Sequence, residues 1–177
     1  MISLSALAAP LKVMIIRHGE KPDSGNELNA RGQERALALV NFFTTNPPVL
    51  SDGKPVAAIY AMKPSREDGS LRPIQTVTPL AEKLGLTINA DIKKDHVDDL
   101  IDAVLKNSTA DGKTVLICWE HKIIPTIVQR FGWDKAPDKW AGEVFDRVWV
   151  LGFTKDKVTS FDDLPQQLLA GDSDKVD

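Results

Sequence analysis

A three-layer α/β/α sandwich with a mostly parallel central sheet is the architecture that this 177-residue sequence predicts. Three observations carry that expectation. Four short runs are almost wholly apolar, at Lys12 to Ile16, Val56 to Ala61, Thr114 to Trp119 and Val148 to Phe153. Strands without polar alternation suit a sheet covered on both faces. Between the runs, apolar residues recur at spacings of three and four, the period of a helix with one buried stripe. Strands alternating with helices give layers of helix on each side of a sheet. The length fits one domain, taken as residues 1–177.

Each element has its own signal. Residues 1–11, opening MISLSALAAP, read as a leader or the remnant of a signal peptide. Ala6-Leu7-Ala8 has the small-x-small form of a cleavage site, but no charged region precedes it. The compartment stays open between cytoplasmic and secreted or periplasmic. After the first strand, Gln33 to Phe43 places Ala36, Leu37, Val40 and Phe43 on one face, with Asn29 as N-cap. Ile74 to Leu84 presents Ile74, Val77, Ala81 and Leu84, stopped by Gly85. Pro79 inside it should kink or shorten the helix. Val97 to Leu105 offers Val97, Leu100, Ile101, Val104 and Leu105. Ile123 to Phe131 offers Ile124, Ile127, Val128 and Phe131, stopped by Gly132. Residues 21–26, 46–54 and 63–70 read as loops, and 171–177 as a solvated, flexible tail.

Composition narrows the function. Hydrophobic residues at 42% and charged residues at 27% describe a globular chain with a proper core, not a disordered one. No stretch approaches the roughly 18 apolar residues of a membrane span, so no membrane partner is expected. A formal net charge of -3 argues against nucleic acid as the main partner. The single cysteine, Cys118, excludes an internal disulfide and multi-cysteine metal sites, and reads as a core residue.

In such sheets the ligand site lies beyond the carboxyl ends of the strands. Arg17-His18-Gly19-Glu20-Lys21 follows the first strand, Glu120-His121-Lys122 follows the Thr114 strand, and Arg72 opens a helix. Two histidines and two arginines thus collect where a phosphate would bind. Arg offers a planar fork to its oxygens and helix N-termini add positive potential. A neutral imidazole can attack phosphorus covalently.

These residues carry a resemblance. Arg17-His18-Gly19-Glu20 resembles the RHG signature of the histidine phosphatase superfamily, which has the phosphoglycerate-mutase-like fold. Arg72-Pro73-Ile74-Gln75-Thr76 is similar to its second arginine followed by Gln-Thr. Residues 28–36 resemble its Leu-Thr…Gly…Gln-Ala helix start, and His121 stands where its second histidine does. The elements keep family order over residues 12–130. Ile117 to His121 and Phe145-Asp146-Arg147-Val148-Trp149 are similar to a bacterial and fungal group with ICWEH and FD-x-VW. The resemblance implies a phosphatase acting on a phosphorylated small molecule or phosphoprotein, with a phosphate ion in the active site. His18 would be the nucleophile, and Arg17, Arg72 and His121 would bind the phosphoryl group. No metal or other cofactor is implied.

Three departures stand out. Asp68 replaces a common family serine, residues 63–70 look like an insertion, and Glu120 replaces the usual glycine before the second histidine. The resemblance implies a proton donor between the second arginine and the second histidine, where the chain reads Asp95-His96-Val97-Asp98-Asp99: Asp95 is the first candidate as catalytic acid, then Asp98 and Asp99, then Glu120, while some phosphohistidine phosphatases of the family manage without this acid. His96 reads as a surface residue, and Lys21 and Lys122 as solvated lysines that could steer anions. The four tryptophans read as core or pocket wall. Two other classes are weighed. One is a non-catalytic or weakly catalytic phospho-ligand-binding member of the fold. The other is a metal hydrolase using His18, Glu20, Glu120 and His121, which lacks a standard ligand spacing. A mutase has little room in so short a chain.

Overall fold

The computed structural model describes residues 9–45 and 55–175. The elements run β1 (Lys12–Arg17), α1 (Ala30–Thr45), β2 (Val56–Ala61), α2 (Arg72–Leu84), β3 (Ile88–Asn89), α3 (Val97–Leu105), β4 (Thr114–Trp119), α4 (Ile124–Arg130), β5 (Arg147–Thr154) and β6 (Lys157–Pro165). The sheet has the order β3-β2-β4-β1-β5-β6. The ladders β1–β4, β2–β4 and β2–β3 are parallel, while β5 runs antiparallel to β1 and β6 antiparallel to β5.

Alternate residues of the central strands feed two cores. Met14, Ile16, Ile59, Leu116 and Cys118 face α1 and α2, where Leu39, Phe42, Phe43, Val77 and Leu80 cover them. Val13, Ile15, Tyr60, Ile117 and Trp119 face α3 and α4, where Leu100, Val104, Ile127 and Val128 cover them. Both faces are therefore dry, which is why these strands read as continuous apolar runs. Cys118 is fully buried, and burial pushes its thiol up. Among the described residues no helix is long and apolar enough to cross a membrane.

The caps form as expected. Asn29 Oδ1 accepts the Gly32 amide at 2.9 Å and starts α1. Gly85 ends α2 at φ 65°, and the Leu86 amide returns to Ala81 O at 2.9 Å. Four details differ. Pro79 does not shorten α2, which runs to Leu84. The buried stripe of α1 is Arg35, Ala36, Leu39, Phe42 and Phe43, while Leu37 is exposed. The expected leader does not include Ala9 to Leu11 as a free segment: Gly112 donates to Ala9 O and Phe153 to Leu11 O. Residues 1–8 and the loop 46–54 lie outside the described residues. The tail is not uniformly solvated either, since the Asp172 side chain is buried against Arg35.

Candidate active site

Parallel pairing of β1 with β4 sets Arg17 level with Trp119. The chain therefore delivers His18 and His121 to the same edge of the sheet. Arg72 arrives on the first turn of α2. The charges of Arg17, Arg72 and His121 all act on His18.

His18 is held in one tautomer. Its Nδ1 lies 2.7 Å from the Gly19 carbonyl oxygen. A carbonyl only accepts, so Nδ1 carries the hydrogen and Nε2 presents its lone pair. Burial, then the neighbouring cations, lower the imidazole to about 4, although its bond to Gly19 opposes the shift. The ring is neutral at physiological pH. The loop that holds it is itself fixed, because the Gly19 amide donates to Thr76 Oγ1 at 2.8 Å on α2.

Arg17 is buried at 2% exposure. Its Nη1 donates to Gly142 O at 2.7 Å and Val144 O at 3.0 Å, and the Phe145 ring lies 3.7 Å from its Cζ. Burial lowers it to about 10, against Glu120 and Glu20, so it stays a cation at neutral pH. Its Nε has no hydrogen-bond partner among the described residues. A buried orphan donor is a feature that an anion would satisfy. Arg72 is oriented by loop carbonyls, with Nε on Glu27 O at 3.0 Å and Nη2 on Gly25 O. Burial lowers it. Burial and then Arg17 also lower His121, whose Nδ1 lies 3.1 Å from Glu120 Oε1 without hydrogen-bond alignment. Lys21 and Lys122 add to that effect.

Asp95 has no hydrogen bond or ion pair with His18 among the described residues. It is exposed and lines a shallow groove with Asp98, Asp99, Thr126 and Arg130 at the α3–α4 side. Asp98 pairs with Arg130 at 3.0 Å and Asp99 with His96 at 3.1 Å. Glu120 is the carboxylate beside the cluster. It leads the opposing charges on Arg17 and flanks His121. Glu20 points elsewhere, into a bidentate pair with Arg35 at 2.7–3.1 Å and a contact with Arg31 at 3.1 Å. Burial works to raise its carboxyl, but Arg35 holds it below the usual range. Among the described residues no three His, Cys, Asp or Glu side chains gather as a metal group would need.

Two parts of the site escape a residue-by-residue reading. The 141–145 loop supplies the carbonyls and ring that fix Arg17, and Phe145 of the FD-x-VW motif is its one sequence signal. The second part is Asp172, which joins Glu20 in binding Arg35 at 2.8 and 2.9 Å.

No family model matches the chain, and no curated protein matches it in sequence. Solved structures do. A phosphoglycerate mutase from Bacillus anthracis superposes with a TM-score of 0.61 at 13% identity, over 87% of this chain and 92% of that one. An Escherichia coli K-12 chain provisionally described as an alpha-ribazole-5'-P phosphatase gives 0.53 at 14%, over 91% and 98%. An Agrobacterium tumefaciens chain provisionally described as the phosphohistidine phosphatase SixA gives 0.53 at 13%, over 86% and 98%. With the six-stranded sheet between its helical layers, the chain has a phosphoglycerate-mutase-like fold.

Proposed function

We propose that the chain is a phosphatase that hydrolyses a phosphomonoester or a phosphohistidine through a phosphohistidine on His18. The observation that carries this reading is the Nδ1–H bond to Gly19 O, which leaves the lone pair on Nε2 of a ring that Arg17, Arg72 and His121 all act on. Nε2 attacks phosphorus and the bond to the leaving group breaks. Arg17, Arg72 and His121 offset the charge on the transferring oxygens, the main demand of phosphoryl transfer. Glu120 takes the role of proton donor to the leaving oxygen. Water then attacks phosphorus, and the P–N bond breaks to return Nε2 and release phosphate. The fold shared with a mutase and with chains described as phosphatases supports the class of chemistry.

The test is a trapping experiment. Native protein quenched at neutral or alkaline pH with labelled aryl phosphate is expected to carry acid-labile label on His18. His18→Ala is expected to fold and to be inactive. Steady turnover would exclude a pure phospho-ligand binder. Label on serine, or full activity in His18→Ala, would defeat the proposal.

A further inference from the structure

Extending the strand register past the strand ends lines up four residues. Arg17 pairs with Trp119 and Ala61 with Cys118, so His18 stands opposite Glu120, and Glu120 opposite Lys63. The His18 amide donates to Trp119 O at 3.3 Å and the Met62 amide to Cys118 O at 3.1 Å, which carries both ladders to that level. Lys63 then forms a parallel bridge with Lys93, its amide donating to Ile92 O at 2.8 Å. With strands about 4.8 Å apart, the Lys63 backbone stands roughly 10 Å from that of His18, and Lys93 one strand further.

The bridge is an unfavourable one to find undefended. Partners in a parallel bridge project to the same side of the sheet, and like charges directly opposite destabilise it. Neither lysine has an ion-pair partner among the described residues. Asp68, in the same loop as Lys63, pairs with Arg66 at 3.2 Å instead. The arrangement is also anchored, since Lys94 O accepts the indole hydrogen of buried Trp119 at 3.0 Å. Two lysines are thus bridged side by side in the row of strand ends that begins at His18, in a chain whose net charge is -3.

We infer that Lys63 and Lys93 form a subsite for a second phosphate, so that the substrate is a small, extended phosphomonoester with another phosphate at its far end. This rests on the phosphatase reading above. The order of the row matches the order of parts in such a molecule. The transferred phosphoryl group lies at His18, the leaving oxygen at Glu120, and the distal phosphate at the lysine pair.

The experiment compares hexane-1,6-diol bisphosphate with hexyl phosphate, in the native chain and in Lys63→Ala/Lys93→Ala. The ratio of their kcat/KM values, bisphosphate over monophosphate, is expected to be about tenfold or more in the native chain, as hydrogen bonds to charged groups allow. In the double variant it is expected to fall close to one, and in the native chain to shrink as salt is raised. A native ratio of one, or a ratio that survives in the double variant, would overturn the subsite and leave the phosphatase reading intact. If neither compound nor p-nitrophenyl phosphate is turned over, both readings fall.

Discussion

At the scale of single residues, protonation of His18 decides when the site can work. Only the neutral ring has a lone pair on Nε2, and burial, with Arg17, Arg72 and His121 nearby, keeps it neutral down to about pH 4. The acid limb of kcat/KM is therefore expected near pH 4, well below the 6.5 of an exposed imidazole. A limb near 6.5 would show that the ring is not desolvated as described. The proton donor is the second question at this scale. Glu120→Gln is expected to slow alkyl phosphates by about 10²–10⁴-fold. It should barely change p-nitrophenyl phosphate, whose leaving group needs no proton. Asp95→Asn is expected to leave both rates near native, because Asp95 is exposed in the α3–α4 groove. Equal losses on both substrates in Glu120→Gln would assign Glu120 to binding. The positions of Arg17, His18, Arg72 and His121 were legible because each ends or follows a strand or opens a helix. The choice among Asp95, Asp98, Asp99 and Glu120 was not legible, because position along a chain says nothing about which of several carboxylates turns inward.

Elements show the same division between what patterns encode and what partners decide. The central strands were legible because burial on both faces removes polar alternation. Strand β6 was not, since KVTSFDDLP is an edge strand with exposed and half-buried residues and no apolar run. The stripe of α1 was read one step round the helix because Arg35 looks like a surface residue. It is buried at 2% exposure by Glu20, Gln166 and Asp172, which accept its hydrogen bonds. This ties α1 to the His18 loop on one side and to the segment after β6 on the other. The approach is close: a Cβ on Gly32 would sit 2.4 Å from Glu20 O, which is why a glycine stands in the first turn. Asp172→Ala would leave the buried guanidinium with Glu20 as its remaining carboxylate. The expected loss is about 3–5 kcal/mol of stability by denaturant titration, the range for breaking a buried ion pair. A loss below about 0.5 kcal/mol, the level of an ordinary surface substitution, would mean that the segment after β6 does not brace α1.

For the molecule as a whole, the buried site has a thermodynamic consequence that acid should reveal. His18 binds a proton near 6.5 when unfolded but only near 4 when folded. Between those values the unfolded chain holds more protons, so stability falls as pH drops through the window. His121, lowered by burial and Arg17, acts with the same sign. The carboxylates take over further down. Burial opposes ionisation of Asp172, yet Arg35 and the Leu168 and Leu169 amides hold it near 2, against 3.8 for an ordinary aspartate. Its contribution is present above 3.8 and lost as pH falls toward 2. Glu20, also held low by Arg35, behaves alike. Stability is thus expected to decline in two stages, histidines first and buried carboxylates second. From pH 7 to pH 5 the His18 share alone is on the order of 2 kcal/mol. Urea titrations of the native chain and of His18→Gln at both values measure it, the variant being expected to lose less on acidification. Equal losses in the two chains would mean that His18 is solvated in the folded state, which would remove the physical basis for its neutral, nucleophilic form.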